Sequence, residues 1–187
     1  MIATLTKLGE SLPTDPGIIR RLRAIRSIWL GFVRDSSIMP TGKINQADVV
    51  LAAMAAKNGS VFAPVQVQKM FFLLDRNIAD RCGGPWFDFE PYDYGPFDKE
   101  VYRALERWAV AGMVRIDSGA SSSRRTYALT PAGQAKGEAI LKGLPNEAQA
   151  FMERVSDWVR SMSFAQLVGA IYRAYPDMRE NSIFQDS

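Results

Sequence analysis

The sequence predicts an α+β domain that is mostly helix, and three observations lead there. Apolar residues recur at three- and four-residue spacing through most of the chain. Short strand-like stretches bounded by Gly, Pro and Ser occur only around residues 86–90 and 113–129. Apolar residues make up 47% of the 187, enough to build one core with an appendage.

The appendage is residues 1–43. After a polar start with two prolines, "PGIIRRLRAIRSIWLGFVR" sets Ile18, Leu22, Ile25, Trp29 and Phe32 at helical spacing. Arg20, Arg21, Arg23 and Arg26 fill much of the remaining surface, which predicts a basic amphipathic helix. This segment holds seven Lys/Arg against three acids, a balance of +4, whereas 44–187 comes to −1. The positive surplus therefore belongs to the extension, and the main body is near neutral. Met39, between "RDSSI" and "PTGKINQADVV", offers an alternative translation start.

The body, 44–187, opens with "NQADVVLAAMAAKNG", a helix with Val49, Val50, Ala53 and Met54 on its apolar face and Asn58-Gly59 as its stop. "SVFA" reads as a connection. Pro64 suits the first turn of a second helix, which runs to about Ala79 and is apolar on nearly every side through Met70–Leu74, so it is expected to be buried. "WFDFE" alternates Phe87 and Phe89 with Asp88 and Glu90, as a short strand ended by Pro91 would. Gly95 then fits a helix N-cap and Pro96 the first helical position. Phe97, Val101, Leu105, Trp108 and Ala109 form the stripe of a helix over 97–111 that Gly112 ends. Strands over Met113–Asp117 and Arg124–Leu129 flank a Gly/Ser loop, and Thr130-Pro131 starts another helix. Two amphipathic helices follow, one with Phe151, Met152, Val155, Trp158, Val159 and Met162. The other carries Phe164, Leu167, Val168, Ile171, Tyr172 and Tyr175 and stops at Pro176. Both stripes read as core or dimer packing. A helix closed by Gly, then a hairpin with a polar tip, then Tyr-x-Leu-Thr-x-x-Gly is the layout of a winged helix. The expected wing is 118–125, flanked by the N-terminal basic helix and the C-terminal helices.

"VQVQKMFFLLDR", "FDFEPYDYGPFDKEVYRALERWAVAGMV", "YALTPAG" and "SFAQLVGAIYRAYPDM" together resemble the Panacea, or SocA-like antitoxin, group of small winged-helix-like proteins of bacteria and phages, over about Ala47 to Phe184. The "Y-x-Y-G-P-F-x-x-E-V-Y" run is the most specific part. The resemblance implies a non-enzymatic, antitoxin-like or defence- and mobile-element-associated regulator that acts on a partner protein, a toxin among the candidates.

Chemistry points the same way. Histidine is absent, which removes the usual base of serine and cysteine nucleophiles and the commonest zinc ligand. Cys82, the only cysteine, excludes an internal disulfide. There is no phosphate-cradling Gly-rich loop and no metal-ligand spacing, so no enzyme, cofactor or metal is expected. No apolar run reaches membrane-span length; membrane insertion is not expected and the chain reads as cytoplasmic. The first function reading is a protein-binding module, as a homodimer or with another chain, contacting its partner through Tyr92, Asp93 and Tyr94. The alternative is a DNA-binding winged-helix transcriptional regulator. It would use Lys99, Arg103 and Arg107 of helix 97–111, Arg124 and Arg125 of the wing, and Arg20, Arg21 and Arg23 of the extension. On that helix Asp98, Glu100 and Glu106 interleave with the three cations, so the six charges cancel.

Overall fold

The first helix of the body is buried all round rather than along one face. In the computed structural model, which describes residues 43–118 and 125–184, α1 (Gln46–Ala55) buries every side chain from Val49 to Ala55. Asn45 caps it, its Oδ1 accepting from Asp48 N at 2.8 Å. One reason for the complete burial is α4 (Pro131–Lys142), which approaches very closely: a Cβ on Gly137 would sit 2.4 Å from the Leu51 carbonyl oxygen. Only glycine permits that spacing between two helices. Arg124 and the tip of the expected wing, like Arg20, Arg21 and Arg23, lie outside the described residues.

The described part is α+β and mostly helical. Besides α1 and α4 it contains α2 (Pro64–Cys82), α3 (Lys99–Val110), α5 (Asn146–Arg160) and α6 (Phe164–Ala174), followed by a 3-10 turn at Pro176–Arg179. Five short strands complete it: β1 (Val61–Phe62), β2 (Glu90–Tyr92), β3 (Gly95–Phe97), β4 (Val114–Asp117) and β5 (Thr126–Leu129). Pro64 opens α2 as expected, and Val67 to Leu74 are buried without a break. Thr130 caps α4, with Oγ1 accepting from Gly133 N at 3.1 Å and Pro131 at the first position. Ser163 and Gln166 form a capping box at α6, and the helix ends just before Pro176.

The strands depart from expectation at three places. "SVFA" is more than a connection: Val61 and Phe62 pair antiparallel with Ala128 and Tyr127, adding a third strand in the order β1-β5-β4. "WFDFE" is not a strand over 86–89, and only its last residue, Glu90, belongs to one, as the start of β2. Asp75 of α2 accepts from the backbone N of Trp86 (2.8 Å) and Phe87 (3.0 Å) there, which occupies the groups a ladder would need. Phe87 packs on Phe71 and Phe89 on Phe72, each with ring centroids 5.5 Å apart.

The third departure concerns Pro91 and Gly95-Pro96. Pro91 does not end a strand, and Gly95-Pro96 does not start a helix. Both prolines sit in a hairpin of β2 and β3, directly opposite each other, flanked by the pairs Glu90 with Phe97 and Tyr92 with Gly95. Neither proline has an N–H, and an antiparallel ladder alternates hydrogen-bonded with non-bonded pairs. Placing the two prolines at one non-bonded pair leaves the flanking residues free to bond. The cap of α3 falls to Asp98, whose Oδ1 accepts from Glu100 N at 2.8 Å, so the helix covers 99–110 rather than 97–111.

Candidate protein interface at the hairpin lip

The β2–β3 hairpin stands on α2 through two polar side chains that the helix buries. Gln68 forms a two-way clamp on Asp98, donating from Nε2 to the carbonyl at 2.9 Å and accepting at Oε1 from the backbone N at 3.1 Å. Lys69, only 3% exposed, donates Nζ to the Pro96 carbonyl at 3.0 Å. Among the described residues no carboxylate forms an ion pair with it, and burial pulls its pKa down to about 7. Gly95, at φ +93°, passes close over this lysine: a Cβ there would lie 3.3 Å from the Tyr172 ring and 3.5 Å from Lys69 Cε. Asp98 ties the assembly together, since its Oδ2 also accepts from Asp88 N at 2.7 Å.

The tip of the hairpin is stitched to the end of the described chain. The Asp93 carbonyl accepts from Ile183 N at 3.1 Å and from Ser182 Oγ at 3.4 Å. The Pro91 carbonyl accepts from Asn181 Nδ2 at 3.1 Å, and Tyr172 of α6 donates its hydroxyl to Ser182 Oγ at 2.6 Å. Backbone carbonyls of the hairpin at Pro91 and Asp93 are thus engaged by residues 181–183.

Two aromatic chains fork from the lip. Tyr92 packs on Phe97 (5.1 Å), which meets Tyr102 (5.9 Å) and through it Tyr127 (6.0 Å) in the three-stranded sheet. Tyr94 meets Phe164 edge-on at 5.0 Å, and Phe164 meets Phe184 at 6.1 Å. At their outer ends these chains are bare: Tyr92 is 52% exposed, Tyr94 42%, Phe164 44% and Ile183 61%. Asp93, between the tyrosines, is half-buried. The structure thus brings together the three lip residues expected from sequence and adds Phe164 and Ile183. Phe164, expected among the packing positions of α6, instead lies exposed at the first helical position, outside the buried run Leu167 to Tyr172. Phe97 and Tyr102 are half-buried within the aromatic chain.

The expected nucleic-acid contacts are arranged differently. Lys99, Arg103 and Arg107 are exposed on α3, but Asp98 is its buried cap and does not share their face. Three cations against two acids therefore face outward, instead of a balanced six. Arg103 and Arg107 both pair with Glu100, the second at 3.6 Å, and Arg125, just before β5, pairs with Glu106 at 3.6 Å. The hydrogen bond from Arg103, followed by its charge and that of Arg107, holds the Glu100 carboxyl below its usual range. Beside them Val110 is 92% exposed and shares an open groove with Arg103, Glu106 and Arg107.

Among the described residues no group of three or more His, Cys, Asp or Glu could hold a metal ion, and no helix is long and apolar enough to cross a membrane. No protein-family model, curated protein or solved structure matches the chain.

Lys69 was not singled out in the sequence, although a lysine inside "VQVQKMFFLLD" is a charge in a stretch otherwise read as buried. That contrast was the available sign. Exposure of Ile183 left no such sign.

Proposed function

We propose that the chain is a non-enzymatic binding module, antitoxin-like, which takes up a partner protein at the lip formed by Tyr92, Asp93 and Tyr94. The observation that carries this reading is the exposed apolar surface of Tyr92, Tyr94, Phe164 and Ile183, held on a hairpin braced from two sides. Single exposed apolar residues are ordinary on any surface, but clustered aromatics on a pre-ordered support are what interface anchors look like. Rigidity matters because a partner then meets side chains that need little further ordering.

The test is selection from a displayed library of random peptides against the full chain, with binders re-measured on Tyr92→Ala/Tyr94→Ala. Expected are binders that lose ten-fold or more in affinity on the double variant. A library whose binders ignore the substitution would sink the reading. The antitoxin part is tested by expressing an adjacent toxin-like reading frame with and without this chain, scoring growth arrest and its relief.

A second reading, a DNA-binding winged-helix regulator, is favoured by the order α1-β1-α2-α3-β4-β5, into which the β2–β3 hairpin is inserted between α2 and α3. The sheet order β1-β5-β4, with α3 directly before the β4–β5 hairpin, fits a recognition helix and wing. Its test is fluorescence anisotropy on duplex DNA from low to physiological salt. Sequence-selective binding that persists at physiological salt would promote it over the first reading.

A further inference from the structure

We infer that the partner segment taken up at the lip is basic, and specifically arginine-bearing. The inference rests on the protein-binding reading and goes one step further, to the chemistry of the occupant. Residues 87–98, "FDFEPYDYGPFD", hold four carboxylates and no lysine or arginine. Asp98 is consumed internally, capping α3 and bonding Asp88 N. Asp88 and Glu90 are exposed and Asp93 is half-buried. Among the described residues none of these three carboxylates enters an ion pair. On α3, by contrast, each acid of the outer face is already held by an arginine.

The lip therefore sets unpaired negative charge beside exposed tyrosine rings. A polyanion such as nucleic acid or an anionic lipid surface is repelled there. A guanidinium is matched twice over, because it can lie on a tyrosine face and bond a carboxylate with its planar fork. An ammonium supplies the charge without the fork or the plane. Apolar side chains of the same segment would meet Phe164 and Ile183, completing a contact with an aromatic centre and a charged margin.

The experiment uses the same displayed library on the full chain, and sorts binders by whether Tyr92→Ala/Tyr94→Ala weakens them. Lip-dependent binders are expected to be enriched in arginine and to weaken as salt rises from 50 to about 500 mM, on the screening expected for exposed charges. They should weaken about ten-fold on Glu90→Gln/Asp93→Asn, roughly two exposed charge contacts. Reversal to Glu90→Lys/Asp93→Lys should turn the preference toward acidic peptides. The Glu90 and Asp93 side chains make no hydrogen bond or ion pair among the described residues, so these variants leave the Asp93 carbonyl's bonds to Ile183 and Ser182 in place; unchanged melting confirms it. Lip-dependent binders that are neutral or acidic, or arginine-rich binders indifferent to Glu90→Gln/Asp93→Asn, overturn the charge inference and leave the protein-binding reading standing. Absence of any lip-dependent binder overturns both.

Discussion

The hairpin lip and the outer face of α3 lie on either side of one residue, Asp98, and treat exposed charge in opposite ways. At the lip the backbone does the internal bonding while the carboxylates of Asp88, Glu90 and Asp93 stay unpaired. On α3 the acids are already paired, Glu100 with Arg103 and Arg107 of the same helix, and Glu106 with Arg125 just before β5. A ligand arriving at α3 must compete with contacts already made; one arriving at the lip finds charge without a counterpart. The difference teaches that counting charges along a helix says less about binding than knowing which are already spoken for.

The largest expected effect breaks the support of the lip. Lys69 has an ordinary pKa of 10.5 when the chain is unfolded and about 7 in the fold. Between those values the unfolded chain binds more protons than the folded one, so stability rises as pH climbs from 7 toward 10.5 and this contribution is flat below 7. Lys69→Met should remove that rise. Denaturant unfolding of both proteins, taken at pH 7 and at pH 9.5, should show wild type gaining about 3 kcal/mol more than the variant. A parallel pH dependence would mean that Lys69 stays charged inside the fold.

Asp98→Ala strikes both regions together, because the substitution removes the α3 cap and the acceptor for Asp88 N. A lost cap costs about 1 kcal/mol, and an orphaned donor that is only part-buried about 1–2 kcal/mol more. Thermal melts should place Asp98→Ala about 2–3 kcal/mol below wild type. Asp98→Asn should recover part of that loss, since an amide oxygen still accepts. Equal melting of wild type and Asp98→Ala would separate the two regions and remove their common hinge.

Much of the fold was legible because helices announce themselves over many residues: the Thr130 cap falls just before its helix, and Pro64 and Pro131 open theirs. The strands were harder. β1 is two residues long, too short for any alternation, and exists only because Tyr127 and Ala128 offer it a partner far along the chain. Gly95-Pro96 misled because the same dipeptide suits a helix start, whereas its true role depends on Pro91 lying opposite, a pairing that local spacing does not reveal. At the candidate lip, Tyr92 and Tyr94 were legible as aromatic residues flanking a turn at Asp93. Phe164 and Ile183 join them only through the tertiary contact of α6 and residues 181–184 with the hairpin.

A smaller effect sharpens the comparison at the lip itself. Tyr94→Ala removes a ring that rests edge-on against Phe164 but is 42% exposed, so the fold should lose no more than about 1 kcal/mol. Affinity for lip-dependent binders should fall about thirty-fold, since a truncated anchor costs about 2 kcal/mol. Arg103→Ala on α3 should leave the same binders within about two-fold, the scale of an exposed ion pair. A reversed ranking would move the interface to α3.

The smallest expected effect comes from releasing the cations on and beside α3. Glu100→Gln/Glu106→Gln leaves Arg103, Arg107 and Arg125 without their acidic partners while keeping size and hydrogen-bonding capacity. All of these pairs are solvent-exposed, so melting should stay close to wild type. What should change is the response to polyanions: affinity for duplex DNA at low salt should rise a few-fold. The slope of log affinity against log salt should steepen by about one to two, as one or two further phosphates are neutralised. The effect stays small because three cations without a basic surround make few phosphate contacts. If the release instead produces tight, sequence-selective binding that survives physiological salt, α3 reads DNA and its acids hold that activity in check. The contrast between lip and helix would then be one between two working surfaces.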